Sequence, residues 1–151
     1  MKINEFIKYF CEDLKIEYTR IKNDYYLASE ELIAAKKMID EHSRLKIKTM
    51  GMHLGSDKGL FKPTLAFLNM LAGHSKKKIF LNTKGEWLFV CKRDIMKDSI
   101  DKINAKNGLV LIQNQWDENL GLGRVVGNIL DSSPNKVVIK NVMNTGEYLG
   151  K

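Results

Sequence analysis

Gly121-x-Gly123-x-x-x-Gly127, inside "LGLGRVVGNIL", has the outline of a phosphate-cradling loop. A dinucleotide fingerprint needs G-x-G-x-x-G between a strand and a helix, because the helix N-terminus receives the pyrophosphate. Here the third glycine is one residue late, and "RVVGNIL" after Gly123 is β-branched and strand-like. The P-loop lysine with its Ser/Thr is absent. The glycines are therefore expected to serve backbone geometry, as a bulge or bend where a small barrel turns a corner. "WDEN" before them reads as the hairpin turn. Asp117 and Glu118 are adjacent carboxylates in that turn, where acids commonly make local hydrogen bonds. His42, His53 and His74 are isolated, and with Cys11 and Cys91 they do not have zinc-site spacing. No G-x-S-x-G, H-E-x-x-H or C-x-x-C is present. The expectation is a chain without catalytic residues, metal or cofactor, and so not an enzyme.

With no reaction to position, charge becomes the informative property. The net charge is +7 and it is uneven. Residues 1–74 carry 12 Lys/Arg against 10 Asp/Glu, whereas residues 75–151 carry 13 against 8. A basic half favours a polyanionic partner. The two cysteines sit in apolar surroundings, which predicts packed, reduced thiols; Cys91 would end a buried strand "EWLFVC". The N-terminus is charged every few residues and resembles no signal peptide, and "TLAFLNMLAG" is too short to span a bilayer. No membrane partner is expected, and the location is cytoplasmic.

The pattern of elements changes near residue 75. Ile3, Phe6, Ile7, Phe10 and Leu14 have helical spacing. "KIEYTRIKNDYYLAS" reads as strand, tight turn and strand. Ser29 reads as the N-cap of a helix to about His42, with Leu32, Ile33, Ala35 and Ile39 inward. "LKIKTMGMHLGSDKG" reads as a strand ending in a Gly-rich loop. Pro63 opens a further helix that Gly73 ends. Beyond it, "KKKIFLN", "GEWLFVC", "GLVLIQN", "LGRVVGNIL" and "NKVVIKNV" are short strands, interrupted by a helix from about Asp94 to Ile103 that turns Ile95, Met96, Ser99, Ile100 and Ile103 inward. Trp87 and Phe89 would alternate into the core, and Trp116, at the turn, is expected to pack, the alternative being exposure for base stacking.

"KIFLNTKGEWLFVCKRDIMKDSI…GLVLIQNQWDENLGLGRVV" resembles a PUA domain, a compact RNA-binding β-barrel. The likeness lies in a strand pair running into an "RDI" helix, in "GLVLIQN", and in "LGLGR". "FKPTLAFLNML" before the barrel and "GEYL" after it are similar to the Nip-seven family of large-ribosomal-subunit biogenesis factors. The resemblance implies an α+β chain: a small N-terminal α/β domain with antiparallel strands over 1–74, acting in protein interaction, and a PUA-type pseudo-barrel over 75–151.

It further implies a non-catalytic RNA-binding factor in large-subunit assembly and pre-rRNA processing. Such domains hold RNA on the barrel helix, the loop before it and a late strand. Here those positions carry Lys92, Arg93, Lys97, Arg124, Lys136 and Lys140, and "HSKKKIF" adds Lys76, Lys77 and Lys78. Arg124 follows two glycines that would let RNA approach the backbone; its ordinary alternative is an ion pair with Asp117 or Glu118. The expected partners are single-stranded RNA or an rRNA precursor, and assembly proteins such as a Shwachman-Bodian-Diamond protein homologue. The chain itself would be a monomer, nucleolar in a eukaryote. The competing reading is a translation-linked PUA factor contacting tRNA or a mature ribosomal subunit.

Overall fold

Ile3, Phe6, Ile7 and Phe10 share one face of α1 (Ile3–Phe10), and all four are buried. The structure, a computed structural model, describes residues 1–42 and 51–148. The chain divides into two units, Met1–Phe67 and Leu68–Lys151.

In the first unit, β1 (Tyr18–Ile21), β2 (Asp24–Leu27), β3 (Met52–Asp57) and β4 (Phe61–Pro63) form an antiparallel sheet in chain order. Lys22 and Asn23 make the turn between β1 and β2, as expected, with Lys22 at φ 57°. The sheet meets α1 through rings: the Phe6 and Phe61 centroids lie 5.4 Å apart, and those of Tyr25 and Phe61 6.0 Å. Edge-to-face pairs of this kind add to the burial of apolar area. At the start of α1, Lys2 Nζ reaches the buried carboxylate of Asp57 at 3.2 Å. The Gly59 N–H and the Lys2 ammonium together hold that carboxyl below the usual range.

Three expectations for this unit need correction. Ser29 does cap α2 (Glu30–His42), its Oγ accepting from the Leu32 N–H at 3.3 Å. Yet Leu32, Ala35 and Ile39 are exposed and only Ile33 is half-buried. The ring cluster is completed by α1, so the apolar stripe of α2 is left uncovered. Pro63 ends β4 instead of opening a helix. The cap of α3 (Leu65–Ala72) is Thr64, whose Oγ1 accepts from the Phe67 N–H at 3.1 Å. Finally α1 stops at Phe10, short of Leu14. Cys11 is buried there as expected, and burial pushes its thiol pKa up. The part of the expected strand over 45–50 lies outside the described residues, as does the side chain of His42.

The second unit is built on β5 (Lys78–Leu81), β6 (Ile95–Met96), β7 (Ile100–Ile103), β8 (Leu109–Gln113), β9 (Asn119–Val125) and β10 (Val137–Asn144). They make one sheet in the order β6-β10-β9-β8-β5-β7, parallel only between β5 and β8. The edge strands β6 and β7 are joined by a 3-10 turn of three residues, Lys97–Ser99. Three residues reach about 10 Å at most. The two edges must therefore come together, and the sheet curls into a nearly closed pseudo-barrel. Ile79, Leu81, Phe89, Ile95, Val110, Ile112, Val138 and Ile139 fill it.

The helix of this unit is not where the sequence pattern puts it. Residues 94–103, expected to be helical, form β6, the 3-10 turn and β7. "TKGEWLFV", expected as a strand, is α4 (Thr83–Val90). Local chemistry explains the exchange. Asn82 caps α4, its Oδ1 accepting from the Gly85 N–H at 2.8 Å while its Nδ2 donates to Asp98 O at 2.9 Å. Gly85 and Phe89, four residues apart, are the face that packs on the barrel. A Cβ at Gly85 would lie 2.6 Å from Ser99 O, so only glycine lets the helix sit this close. Val90 also packs on the barrel core, partly buried; Trp87 lies on the outward side, exposed and not core, and Cys91 is exposed in the turn after the helix.

Candidate nucleic-acid interface

Two glycines of "LGLGR" serve backbone geometry, as their spacing predicts. Gly121 has φ +144°, and a Cβ there would be 2.0 Å from Met143 O on β10. A Cβ at Gly123 would be 2.6 Å from Ile139 Cγ2. The register of β9 against β10 shifts beside them, between Asn141 and Met143. This bulge lets β9 run close under β10, and Arg124 emerges exposed immediately after it.

Arg124 and Lys140 are directly paired across β9 and β10. Like charges opposed on one face repel, which usually costs a few tenths of a kcal/mol or more. Lys140 is relieved by Asp94, 3.0 Å away. The Asn141 backbone N–H, at 2.9 Å, holds the Asp94 carboxyl below the usual range, helped by Lys140. Arg124 is exposed and makes no ion pair among the described residues. Neither Asp117 nor Glu118 takes it: Asp117 is occupied by Lys78 at 3.0 Å.

The turn after α4 belongs to the same neighbourhood. Asn141 Nδ2 donates to Phe89 O at 2.9 Å and to Arg93 O at 3.1 Å, which ties the turn to β10. Lys92 sits in the left-handed region, φ 68°, with its N–H donating to Phe89 O. That position after a helix is normally glycine, and a lysine there carries a strain of about 1 kcal/mol. Further along β10, the Lys97 N–H donates to Lys136 O at 3.0 Å. Lys97 Nζ donates to Leu130 O at 2.8 Å. Leu130 borders a shallow cavity of about 440 Å³ that also takes in Lys106, Asn107 and Asn128. Lys92, Arg93, Lys97, Arg124, Lys136 and Lys140 thus lie on or next to β6, β10 and β9 in sequence and register.

Lys76, Lys77 and Lys78 are elsewhere, on the approach to β5. Lys78 is mostly buried and spent on Asp117. Desolvation works to raise the Asp117 carboxyl, but Gln113 and Lys78, both bonded to it, leave it below the usual range. Sequence reasoning grouped these lysines with the rest because they share a sign; the strand order separates them.

Trp116, expected to pack, is 77% exposed, and Trp87 is 68% exposed. Strand alternation puts Trp87 beside Phe89 in the core; the helix that forms instead turns it outward. The cap residue Asn82, followed by Gly85 and Glu86, is the signal that could have found it.

Residues 77–151 match the family model described as the UPF0113 PUA domain. The second unit is a PUA-type pseudo-barrel. A UPF0113 protein of Archaeoglobus fulgidus is 31% identical over 104 residues, which cover 66% of this chain and 60% of that protein. The chain therefore spans under two thirds of the length of this relative. A conserved PUA domain protein from Thermoplasma acidophilum is similar in fold: TM-score 0.54, 10% identity, over 82% of this chain and 95% of that one. A PUA domain from Aeropyrum pernix matches with TM-score 0.54 and 11% identity over 96% of this chain and 80% of that one. At such identities the likeness is one of fold. Among the described residues there is no cluster of three or more His, Cys, Asp or Glu fit for a metal, and no helix long and apolar enough to cross a membrane.

Proposed function

We propose that this protein is a non-catalytic RNA-binding factor, and that RNA lies along the β6-β10-β9 edge of the PUA-type barrel. The observation that carries the reading is the direct pairing of Arg124 with Lys140 across two strands. A fold that needed only stability would not oppose two cations there. The strained lysine at position 92 points the same way, because local strain tends to be retained where a side chain is used. Arginine can fork to a phosphate and stack on a base, so Arg93 and Arg124 anchor and the lysines add charge. The cavity beside Leu130 offers the carboxamide of Asn107, where an unstacked base edge could be read, whereas that of Asn128 is held by Asp131 and the Leu130 N–H. The similarity to the Nip-seven family supports a role in large-subunit assembly and pre-rRNA processing, in the cytoplasm or nucleolus, with a Shwachman-Bodian-Diamond protein homologue among the partners. The exposed stripe of Leu32, Ala35 and Ile39 on α2 supports protein interaction by the first unit.

The test is binding of oligouridine across a salt series. Each phosphate contact on a single strand contributes about 0.7 to the slope of log K against log salt. Lys92→Ala/Arg93→Ala/Arg124→Ala is expected to weaken binding by tenfold or more and to flatten the slope by about 2. An unchanged slope in this variant would remove the edge as the RNA site.

A further inference from the structure

The sequence contains two tryptophans, and the fold exposes both. The structure also brings the segments that carry them to one place. Thr83 and Trp87 are four residues apart on α4 and so share a helical face. Gln115 Nε2 donates to Thr83 Oγ1 at 2.8 Å, and Trp116 is the next residue. Beside them Asn114 Nδ2 donates to Glu86 Oε1 at 3.3 Å and to Glu118 Oε1 at 3.1 Å, so two carboxylates converge on one amide. Asn114 itself is buried, and its Oδ1 accepts from the N–H groups of Trp116 and Glu118 at 2.9 and 3.0 Å. The turn is held rigidly, and what it holds out to solvent is an indole.

Exposed tryptophan on a rigid frame has the character of a binding hot spot, since little side-chain freedom remains to be lost on contact. The charge around it decides the partner. At the C-terminal end of α4 lie Lys92, Arg93 and the basic edge; at the N-terminal end lie Glu86 and Glu118, while the one cation of that helical turn, Lys84, has Asp98 at 3.9 Å. Carboxylates beside the indoles repel a phosphate backbone and attract a cation. A guanidinium can stack on an indole face and bond a carboxylate at once. We propose that Trp87 and Trp116, with Glu86 and Glu118, form a docking site for an arginine-bearing segment of a partner protein. This site is separate from the RNA edge and stands without it.

The experiment follows the two indole N–H signals of the ¹⁵N-labelled full chain, assigned with Trp87→Phe and Trp116→Phe. The probes are a twelve-residue peptide with four arginines spaced by Gly and Ser, the same peptide with glutamate for arginine, and oligouridine. The arginine peptide is expected to shift both indole signals. Trp87→Ala/Trp116→Ala is expected to lose about tenfold in affinity, by two exposed cation–π contacts. Glu86→Gln/Glu118→Gln keeps the acceptors for Asn114 and is expected to bind several-fold more weakly, while oligouridine binding is retained in both variants. The proposal is overturned if the arginine peptide leaves both indoles unmoved at millimolar concentration. It is also overturned if the glutamate peptide or oligouridine shifts them as much, or if they move with protein concentration alone, which would make the occupant RNA, any apolar chain or a second copy.

Discussion

Two groups of cations in the second unit share a sign of charge and meet different fates. Lys76–Lys78 approach β5, where Asp117 neutralises Lys78 within the fold. Along the β6-β10-β9 edge, Arg124 faces Lys140 and only Lys140 has an acid nearby. The difference teaches that a basic excess is free to meet a partner only where the fold leaves it unanswered. A charge paired internally does little for a partner.

The largest expected effect destroys the comparison altogether. Gly121→Ala puts a Cβ 2.0 Å from Met143 O at φ +144°, so β9 and β10 must part. A loss above about 3 kcal/mol is expected in chemical denaturation. Gly127→Ala is its control: φ is +86° but nothing lies within 4 Å. It should cost only the backbone strain of about 1–2 kcal/mol. If the two variants unfold at similar denaturant concentrations, the bulge is not what sets the edge.

Next in size is the contrast in RNA affinity. Arg124→Ala/Lys140→Ala should weaken oligouridine binding about tenfold, whereas Lys76→Ala/Lys78→Ala should change it less than threefold. Equal losses would erase the distinction between the two groups. Lys92→Gly sharpens it from another side. Glycine relieves the left-handed strain and should raise stability by about 0.5–1 kcal/mol while weakening RNA binding. A variant that is less stable than the parent would show that the lysine is held there by packing.

The smallest effect is in pH. Asp94 is held below its unfolded value, so its contribution is complete above about pH 4 and is lost as pH falls through the lower folded value. Asp94→Asn should therefore melt below the parent near neutral pH and converge with it in acid. Because the change also leaves Lys140 without its acid, RNA affinity should rise slightly. A constant gap in melting temperature at every pH would mean the Asn141 tether, and not the carboxylate charge, supplies the stability.

Much of the fold is legible in local patterns. α1 as far as Phe10, the β1–β2 hairpin, Ser29 as a cap, Gly73 as a stop, and the strands β5, β8 and β10 follow from periodicity and turn chemistry, whereas the strand expected over 122–130 is β9, which starts inside the expected turn and ends before Gly127. The exchange between residues 83–90 and 94–103 does not. "EWLFV" alternates well enough for a strand, and "DIMKDSI" has apolar positions at helical spacing. What overrides both is Asn82 bonded to Gly85 and Asp98, and the close fit of Gly85 over Ser99, contacts that need both segments in place. Trp87 escapes a local reading for the same reason, because the outward face of α4 exists only once the helix does.

The sequence by itself determined that this chain is basic in its second half, that it is α+β, and that the two glycines of "LGLGR" serve the backbone geometry of a strand. Those properties depend on charge count and on neighbours a few residues apart. The tertiary structure alone decided which cations remain unanswered, and where both indoles stand. Arg124 meets Lys140 across sixteen residues and Lys78 meets Asp117 across thirty-nine, and only strand order and register, fixed by closure of the barrel, bring such pairs together.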